Sequence, residues 1–301
     1  MRLQALLKSL TGNHNSAKSI WKLICTAVGY VSSVYAFSVL LKQLDITSSI
    51  EIWVRTHIWL VIIIGLLAAI THHREHLLCF CKVTGSDIQI GFRVQDFFWV
   101  NADSYVIPTN TYFRTKRAGD YISSQSVQGR FQDKYYKKRE YELDKHIAES
   151  LASQRIEGTI SRDQFGNVKK YPVGTVAKID HKGKHYYFVA LNDVNEYGKP
   201  VEQNLKNIDK ALSGVVKAIK EFGHCDTICI PLIGTGRAAI KEATIENVFQ
   251  STVNTFAEST EKLSPKVIVC INPNDYIEGR AEISRLEKYL EFKCEFPYIG
   301  I

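Results

Sequence analysis

Hydrophobic positions fall into two regimes along the 301-residue chain. In the first eighty residues they run together; beyond about Lys82 they come in short runs and alternations parted by polar turns. The run from Leu23 to Leu41, LICTAVGYVSSVYAFSVLL, carries no charge. As a helix rising about 1.5 Å per residue it matches a hydrocarbon core of about 30 Å. A second run, IWVRTHIWLVIIIGLLAAI over 52–70, is apolar from Ile58 onward, with Arg55 and His57 near its start. Arg55 is placed to snorkel, and Trp53 and Trp59 suit the headgroup boundary. The pattern predicts transmembrane helices over about 20–41 and 52–71 in an all-α membrane region of residues 1–80. Gly29, Ser32, Ser33 and Ser38 fall in the first span, where small residues permit close helix packing or are merely tolerated. MRLQALLKSL, at the start, is amphipathic at helical spacing and suits the interface. The competing reading is a buried helical hairpin of a soluble protein. A removable signal peptide is not expected, because the first run begins late and lacks a small-residue cleavage site.

From about 82 to 301 the periodicity is α/β. DIQIGFRVQDFFWV (87–100) and DSYVIPTN (103–110) read as strands, and YPVGTVAKIDHKGKHYYFVALND (171–193) as a hairpin turning at Lys182-Gly183. VEQNLKNIDKALSGVVKAIKEF (201–222) spaces its apolar residues by three and four and stops before Gly223, as an amphipathic helix does. Strand TICIPLI, helix IKEATIENVFQSTVNTFAEST, strand KVIVCINP and a helix over about 275–290 follow. Such alternation predicts a mostly parallel sheet flanked by helices.

The net charge of +7 admits nucleic acid or an anionic membrane as partner. The apolar runs favour the membrane, and no nucleic-acid partner is expected. The basic, tyrosine-rich segment 114–145 is diluted by Asp133, Glu140, Glu142 and Asp144, so a solvated helix face is preferred and lipid attraction comes second. Lysines and arginines flank both ends of the helix pair while the connector KQLDITSSIE holds one lysine and two acids, which puts both ends in the cytoplasm. The seven cysteines lack paired disulfide or zinc spacing, so neither a bound metal nor a disulfide framework is expected. Cys79 and Cys81 form a CxC beside the membrane region, where acylation competes with two small interfacial residues.

The chemistry concentrates at ICIPLIGTGRAAI (228–240), a β-branched run that breaks at Pro231 into a glycine turn. Gly234 and Gly236 let backbone amides converge on an anion, and the helix read as following would add its N-terminus. They also suit a bare strand-to-helix turn. GTGRAA satisfies GxGxxA, but a dinucleotide fingerprint opens the first βαβ unit and needs an acid at the end of the next strand, which here ends in Asn272-Pro273. No GxxxxGK followed by Ser or Thr is present, which excludes a P-loop.

Residues 84–301 resemble a macro domain, the ADP-ribose-binding α/β fold. VQDF supplies Asp96 and ADSYVIPTN supplies Asn110, at the fourteen-residue separation of that family's first aspartate and final strand-end asparagine. PLIGTGRAA stands where the family has its second phosphate loop. The resemblance implies that Asp96 accepts a hydrogen bond from an adenine amino group, with Phe97 backbone near the base. It puts Asn110 on the distal ribose, flanked by Thr109 and Thr111. It wraps Pro231, Gly234, Thr235 and Gly236 around the diphosphate, with Arg237 adding charge or facing solvent. Asn272 and Pro273 border the adenine side. The family's Asn-Ala-Ala-Asn is Ile-Pro-Thr-Asn here, and the first phosphate loop has become SSQSVQG (123–129), keeping only Gly129. Ser124, Ser126 and Val127 fill that loop, the serines as hydroxyl donors or as ordinary loop residues.

The pairing of two apolar helices with VIPTNTYFRT, ISSQSVQGRF and PLIGTGRAAI is similar to the effectors of type II Thoeris, a bacterial anti-phage defence. That resemblance implies a receptor in the bacterial inner membrane, multi-pass, with its N-terminus and macro domain cytoplasmic. A partner TIR-domain enzyme would turn NAD into an ADP-ribose-derived signal, a histidine conjugate. The macro domain would bind it without any cofactor, self-associate and disrupt membrane lipid. Tyr112 and Arg114 are candidates for reading the signal's terminal group. The alternative is a membrane-anchored ADP-ribosyl hydrolase, which needs a base near the distal ribose; Asp103 lies before its strand and faces away, Asp120 and Asp133 sit in loops, and no good base is evident.

Overall fold

The structure is a computed structural model describing residues 2–11, 17–43, 48–116, 122–159, 168–195, 200–201, 204–222, 226–236, 240, 242–259 and 263–298. Its chain divides into two compact units, Met1–Leu77 and Leu78–Ile301.

The first unit is helical: α1 (Arg2–Thr11), α2 (Ala17–Gln43), α3 (Ser48–Thr56) and α4 (Ile58–His73). Within α2, Trp21–Leu41 is long and apolar enough to cross a membrane, whereas Ile58–His72 is apolar but shorter. Residues 52–71, read from the sequence as one helix, fall in α3 and α4, which meet at His57. Thr56 Oγ1 donates 2.8 Å to the Ile52 carbonyl and the His57 ring nitrogen lies 3.0 Å from the Trp53 carbonyl, while Leu60 N–H already bonds to His57. Side chains that turn back on the preceding carbonyls compete with the backbone ladder, and His57 takes φ −112°, ψ 29°, as the N-cap of α4. Helix α4 packs on α2 through Gly65, whose added Cβ would stand 2.8 Å from Val31 Cγ2. Gly29 makes no such approach, having nothing within 4 Å of its Cβ position, and the Ser33 and Ser38 hydroxyls bond to carbonyls of their own helix.

The second unit starts at β1 (Leu78–Lys82), so the last residues given to the membrane region belong to the sheet. There follow β2 (Gln89–Val94), β3 (Ser104–Asn110), α5 (Val127–Tyr135), α6 (Glu140–Ser150), β4 (Gly158–Thr159), β5 (Lys169–Lys170), β6 (Val176–His181), β7 (Lys184–Val194), β8 (Pro200–Val201), α7 (Leu205–Phe222), β9 (Ile228–Pro231), α8 (Ile245–Ala257), β10 (Lys266–Ile271), α9 (Pro273–Ile277) and α10 (Ile283–Glu295). The main sheet runs β1-β2-β10-β9-β3-β7-β6, with β8 on β7. Its five inner strands are parallel, and β1 and β6 close it antiparallel. The hairpin turns at Lys182 (φ 51°) and Gly183 (φ 70°), the double left-handed conformation of a two-residue turn matched to strand twist.

Parallel strands buried on both faces read as continuous apolar runs, and β7 is one of them. Tyr186 and Phe188 pack with Phe131 of α5 in a cluster that includes Leu143 and Ile147 of α6. Tyr187, pointing oppositely, meets Phe222 of α7. Helices α5 and α6 thus cover one face, and α7, α8 and α10 the other. The CxC pair sits in β1, where burial pushes the Cys79 thiol up to about 12 and raises Cys81 as well. Thiols held protonated are poor nucleophiles.

Three element boundaries move. The strand expected over 87–100 stops at Val94 and gives way to a 3₁₀ turn, Phe97–Trp99, capped by Asp96. The final helix is two helices, α9 and α10. The helix read as opening at the glycine turn begins at Ile245, with the Thr244 hydroxyl accepting from Asn247 N–H. The Gly234–Gly236 amides lie in a turn, and α8 starts nine residues after Gly236.

Candidate functional site

In open α/β sheets ligands bind beyond the carboxyl ends of parallel strands. Here the five parallel strands end on one edge, along which lies a cleft of about 440 Å³. Across that edge Asp96 follows β2, Asn272 follows β10, the Gly234–Gly236 turn follows β9, Thr109 and Asn110 end β3, and Asn192 lies near the end of β7. At about 4.8 Å per strand, four steps give a trough about 19 Å long. Ser126, Val127 and Arg130 of the α5 wall line it as well.

At the β2 end, Asp96 Oδ1 accepts from Phe98 N–H at 3.0 Å and Oδ2 takes Arg130 Nη2 at 2.6 Å. A carboxylate keeps further lone pairs after two such bonds, so the residue assigned to adenine is oriented and not exhausted. Phe97 lines the cleft with its ring packed on Tyr105. Asn272 caps α9 by accepting from Asn274 N–H at 3.0 Å. Beyond it Asp275 holds Arg280 Nη2 at 2.7 Å; burial raises the Asp275 carboxyl above its usual range against the opposing pull of Arg280.

In the middle, Gly234 has φ +89°, which glycine tolerates and L side chains resist. Thr235 Oγ1 donates 3.0 Å to the Leu232 carbonyl and tightens the bend. Pro231 ends the strand beneath it. At the β3 end, Asn110 Oδ1 accepts from the N–H groups of Tyr112 (3.0 Å) and Arg114 (3.3 Å), holding the turn that leaves the strand. Ser126 Oγ accepts from Gly129 N–H and donates to the Ser123 carbonyl at 2.7 Å, capping α5.

Thr111, Ser124, Gly129 and Pro273 stand apart from the lining. Thr111 is buried and bonds to Asp193. Ser124 is solvent-exposed, and Pro273 is the buried first residue of α9. Gly129 serves packing, because a Cβ there would fall 2.0 Å from the Ser123 carbonyl oxygen. Tyr112 and Arg114 are buried against each other, the guanidinium 4.6 Å over the ring, also outside the lining. Arg237 and Asp120 lie outside the described residues. Asp103 precedes β3 at the opposite edge of the sheet, where it bonds to Thr227 N–H and Lys184, and Asp133 is exposed on α5. The lining residues Arg130, Asn192 and Arg280 escaped the sequence because topology, not any local motif, brings them in.

The sequence profile of a family described as "Thoeris protein ThsA, Macro domain" matches residues 90–272. No curated protein matches the chain closely. Among solved structures, a mutant macrodomain of Oceanobacillus iheyensis aligns at TM-score 0.48 and 13% identity, covering 72% of this chain and 100% of that one. Another mutant of it, with ADPR, gives 0.48 and 10%, covering 71% and 98%. The macrodomain of Thermus aquaticus DarG gives 0.40 and 13%, covering 60% and 97%.

Proposed function

The chain belongs to the macro-domain family of the Thoeris protein ThsA, and on that premise we propose that it is a membrane-anchored receptor for an ADP-ribose-type nucleotide. The observation that carries this reading is the trough itself: a glycine turn stands at its centre, between the Asp96 end and the Asn110 end, on the carboxyl edge of five parallel strands. A diphosphate over that turn meets loop amides able to converge on an anion. The base then extends toward Asp96 and Asn272, and the second ribose toward Asn110.

The signal is an NAD-derived ADP-ribose conjugate, a histidine conjugate by the resemblance, made by a TIR-domain partner. Helix α2 supplies an anchor of membrane length. Helix α4, at 16 residues, spans about 24 Å at about 1.5 Å per residue. Packed on α2, it completes a hairpin in the inner membrane that returns the chain to the cytoplasmic side. Signal binding drives self-association and membrane damage. Binding, not hydrolysis, is the proposed activity: among the described lining residues the carboxylates are Asp96 and Asp275, both paired with arginines at the adenine end. A water-activating base is needed at the other end.

Calorimetry on the full chain in detergent micelles is expected to give saturable heat with ADP-ribose. No heat with ADP-ribose, ADP or NAD overturns the receptor reading, and release of ADP-ribose from a modified protein by the same preparation restores the hydrolase.

A further inference from the structure

Beside the end of α5, Trp99 is 72% exposed, although tryptophan is highly buried on average. Its neighbours are cations. Lys134 Nζ of α5 donates 3.4 Å to the carbonyl of Phe98, the peptide that leads into Trp99, and stands 5.2 Å from the centres of both the Phe98 and Tyr135 rings. Lys137 and Lys138 follow at the end of the helix, and Arg139 is tied back to the Tyr135 carbonyl at 2.8 Å. The hairpin turn with Lys182 is close by, because Tyr135 and Tyr136 pack on the ring of His181 at 5.0 and 5.3 Å.

Acids do not cancel this charge. Glu142 takes Arg139 at 3.1 Å and Asp144 takes the Thr115 hydroxyl, which leaves Asp133 and Glu140 as the other acids of the stretch against Lys134, Lys137, Lys138 and Lys182. Lys134, Lys137 and Lys138 are exposed and make no ion pair among the described residues. The His181 imidazole registers the surplus: burial, and after it Lys182, Arg139 and His146, all hold its pKa below the ordinary value.

The combination selects a partner. An indole settles at the headgroup level of a bilayer, and lysines are drawn to an anionic leaflet. RNA offers the same charge, but the chain also carries α2, a helix of membrane length. A domain tethered to a surface needs only weak contacts to stay on it. None of Trp99, Lys134, Lys137 and Lys138 lines the cleft.

Resting on the membrane anchor proposed above and not on the nucleotide, we propose that Trp99, Lys134, Lys137 and Lys138 form a docking surface for an anionic lipid leaflet, separate from the cleft. The test reconstitutes the full chain into vesicles of phosphatidylcholine alone and of phosphatidylcholine with phosphatidylglycerol, and reads lysine acetylation rates by mass spectrometry. Lys206 and Lys217, exposed on α7 across the sheet, are the internal standards. Relative to them, Lys134, Lys137 and Lys138 are expected to react about fivefold more slowly on anionic vesicles, the factor that attraction of one lysine to such a surface is worth. High salt is expected to restore the rates. Trp99→Ala and Lys138→Gly, the latter suited to the φ of 61° that Lys138 adopts, are expected to restore part of the rate at Lys134 and Lys137 without lowering Tm. Equal relative rates in the two lipids, or protection untouched by both variants, overturn the surface. Slowing by a polyribonucleotide on neutral vesicles, with none from anionic lipid, overturns it in favour of nucleic acid. A chain that alkaline carbonate strips from both kinds of vesicle overturns the anchor as well.

Discussion

At Gly234 the chain takes φ +89°, and a Cβ built there meets Ile240 Cδ1 at 3.0 Å and Ile208 Cδ1 at 3.1 Å. Two residues on, Gly236 has nothing within 4 Å of the same position. Gly234→Ala is therefore expected to cost about 1–2 kcal/mol from the left-handed backbone, with a little more from the isoleucine contacts. At about 2–4 °C per kcal/mol its Tm drops by several degrees. Gly236→Ala is expected to leave Tm within about 1 °C and yet weaken nucleotide binding, since its open side is the space a diphosphate would enter. Thermal melting and titration on both variants separate the two glycines; a Gly236→Ala protein that binds normally removes Gly236 from the site. Asp96, Asn110 and the glycine turn were legible in the sequence because each punctuates a strand end, where composition changes abruptly. Asn192 was not: it reads as the end of a hairpin strand, and the register shift against β3 brings it to the cleft. Arg130 was hidden differently, reaching Asp96 across 34 residues of sequence from a segment whose bases looked solvated.

The helices show where periodicity serves and where side chains override it. Helix α7 was readable from its three-and-four spacing, and the hairpin from Lys182-Gly183. The start of α8 was not, because IKEATIENVF carries helix-compatible residues straight across the boundary and the true start signal is one hydroxyl, Thr244. The break at His57 was hidden differently, because no glycine or proline marks it between Arg55-Thr56 and the apolar run from Ile58. Within the chain, close packing of α2 and α4 falls to Gly65 and not to Gly29. Small residues in membrane helices matter where backbones approach, not wherever they occur. Gly65→Val is accordingly expected to force α4 off α2, at an overpacking cost of about 1–3 kcal/mol. Gly29→Val, with open space around it, is expected to be silent. Detergent-resistance half-lives of the two variants check this, and equal half-lives sink the assignment of Gly65 as the point of closest approach.

For the whole chain, the proposed switch must obey linkage. Moving a population from 1:99 to 99:1 requires the ligand to bind the assembled state about 10⁴-fold more tightly, about 5.5 kcal/mol. The coupling is reciprocal: whatever factor the ligand adds to assembly, assembly adds to ligand affinity. In the proposed receptor α2, long and apolar enough to cross a membrane, would confine the chains to a bilayer, and their effective concentration would then be set by protein-to-lipid ratio and not by bulk volume. Reconstituted at a high ratio, the chain is expected to bind ADP-ribose several-fold more tightly than at a ratio a hundred times lower, and cross-linked oligomers are expected to rise with ligand over the same range. An affinity indifferent to lipid dilution removes the coupling free energy; a signal that favours no assembled state cannot drive assembly, and the cleft would then be a binding site without an effector behind it.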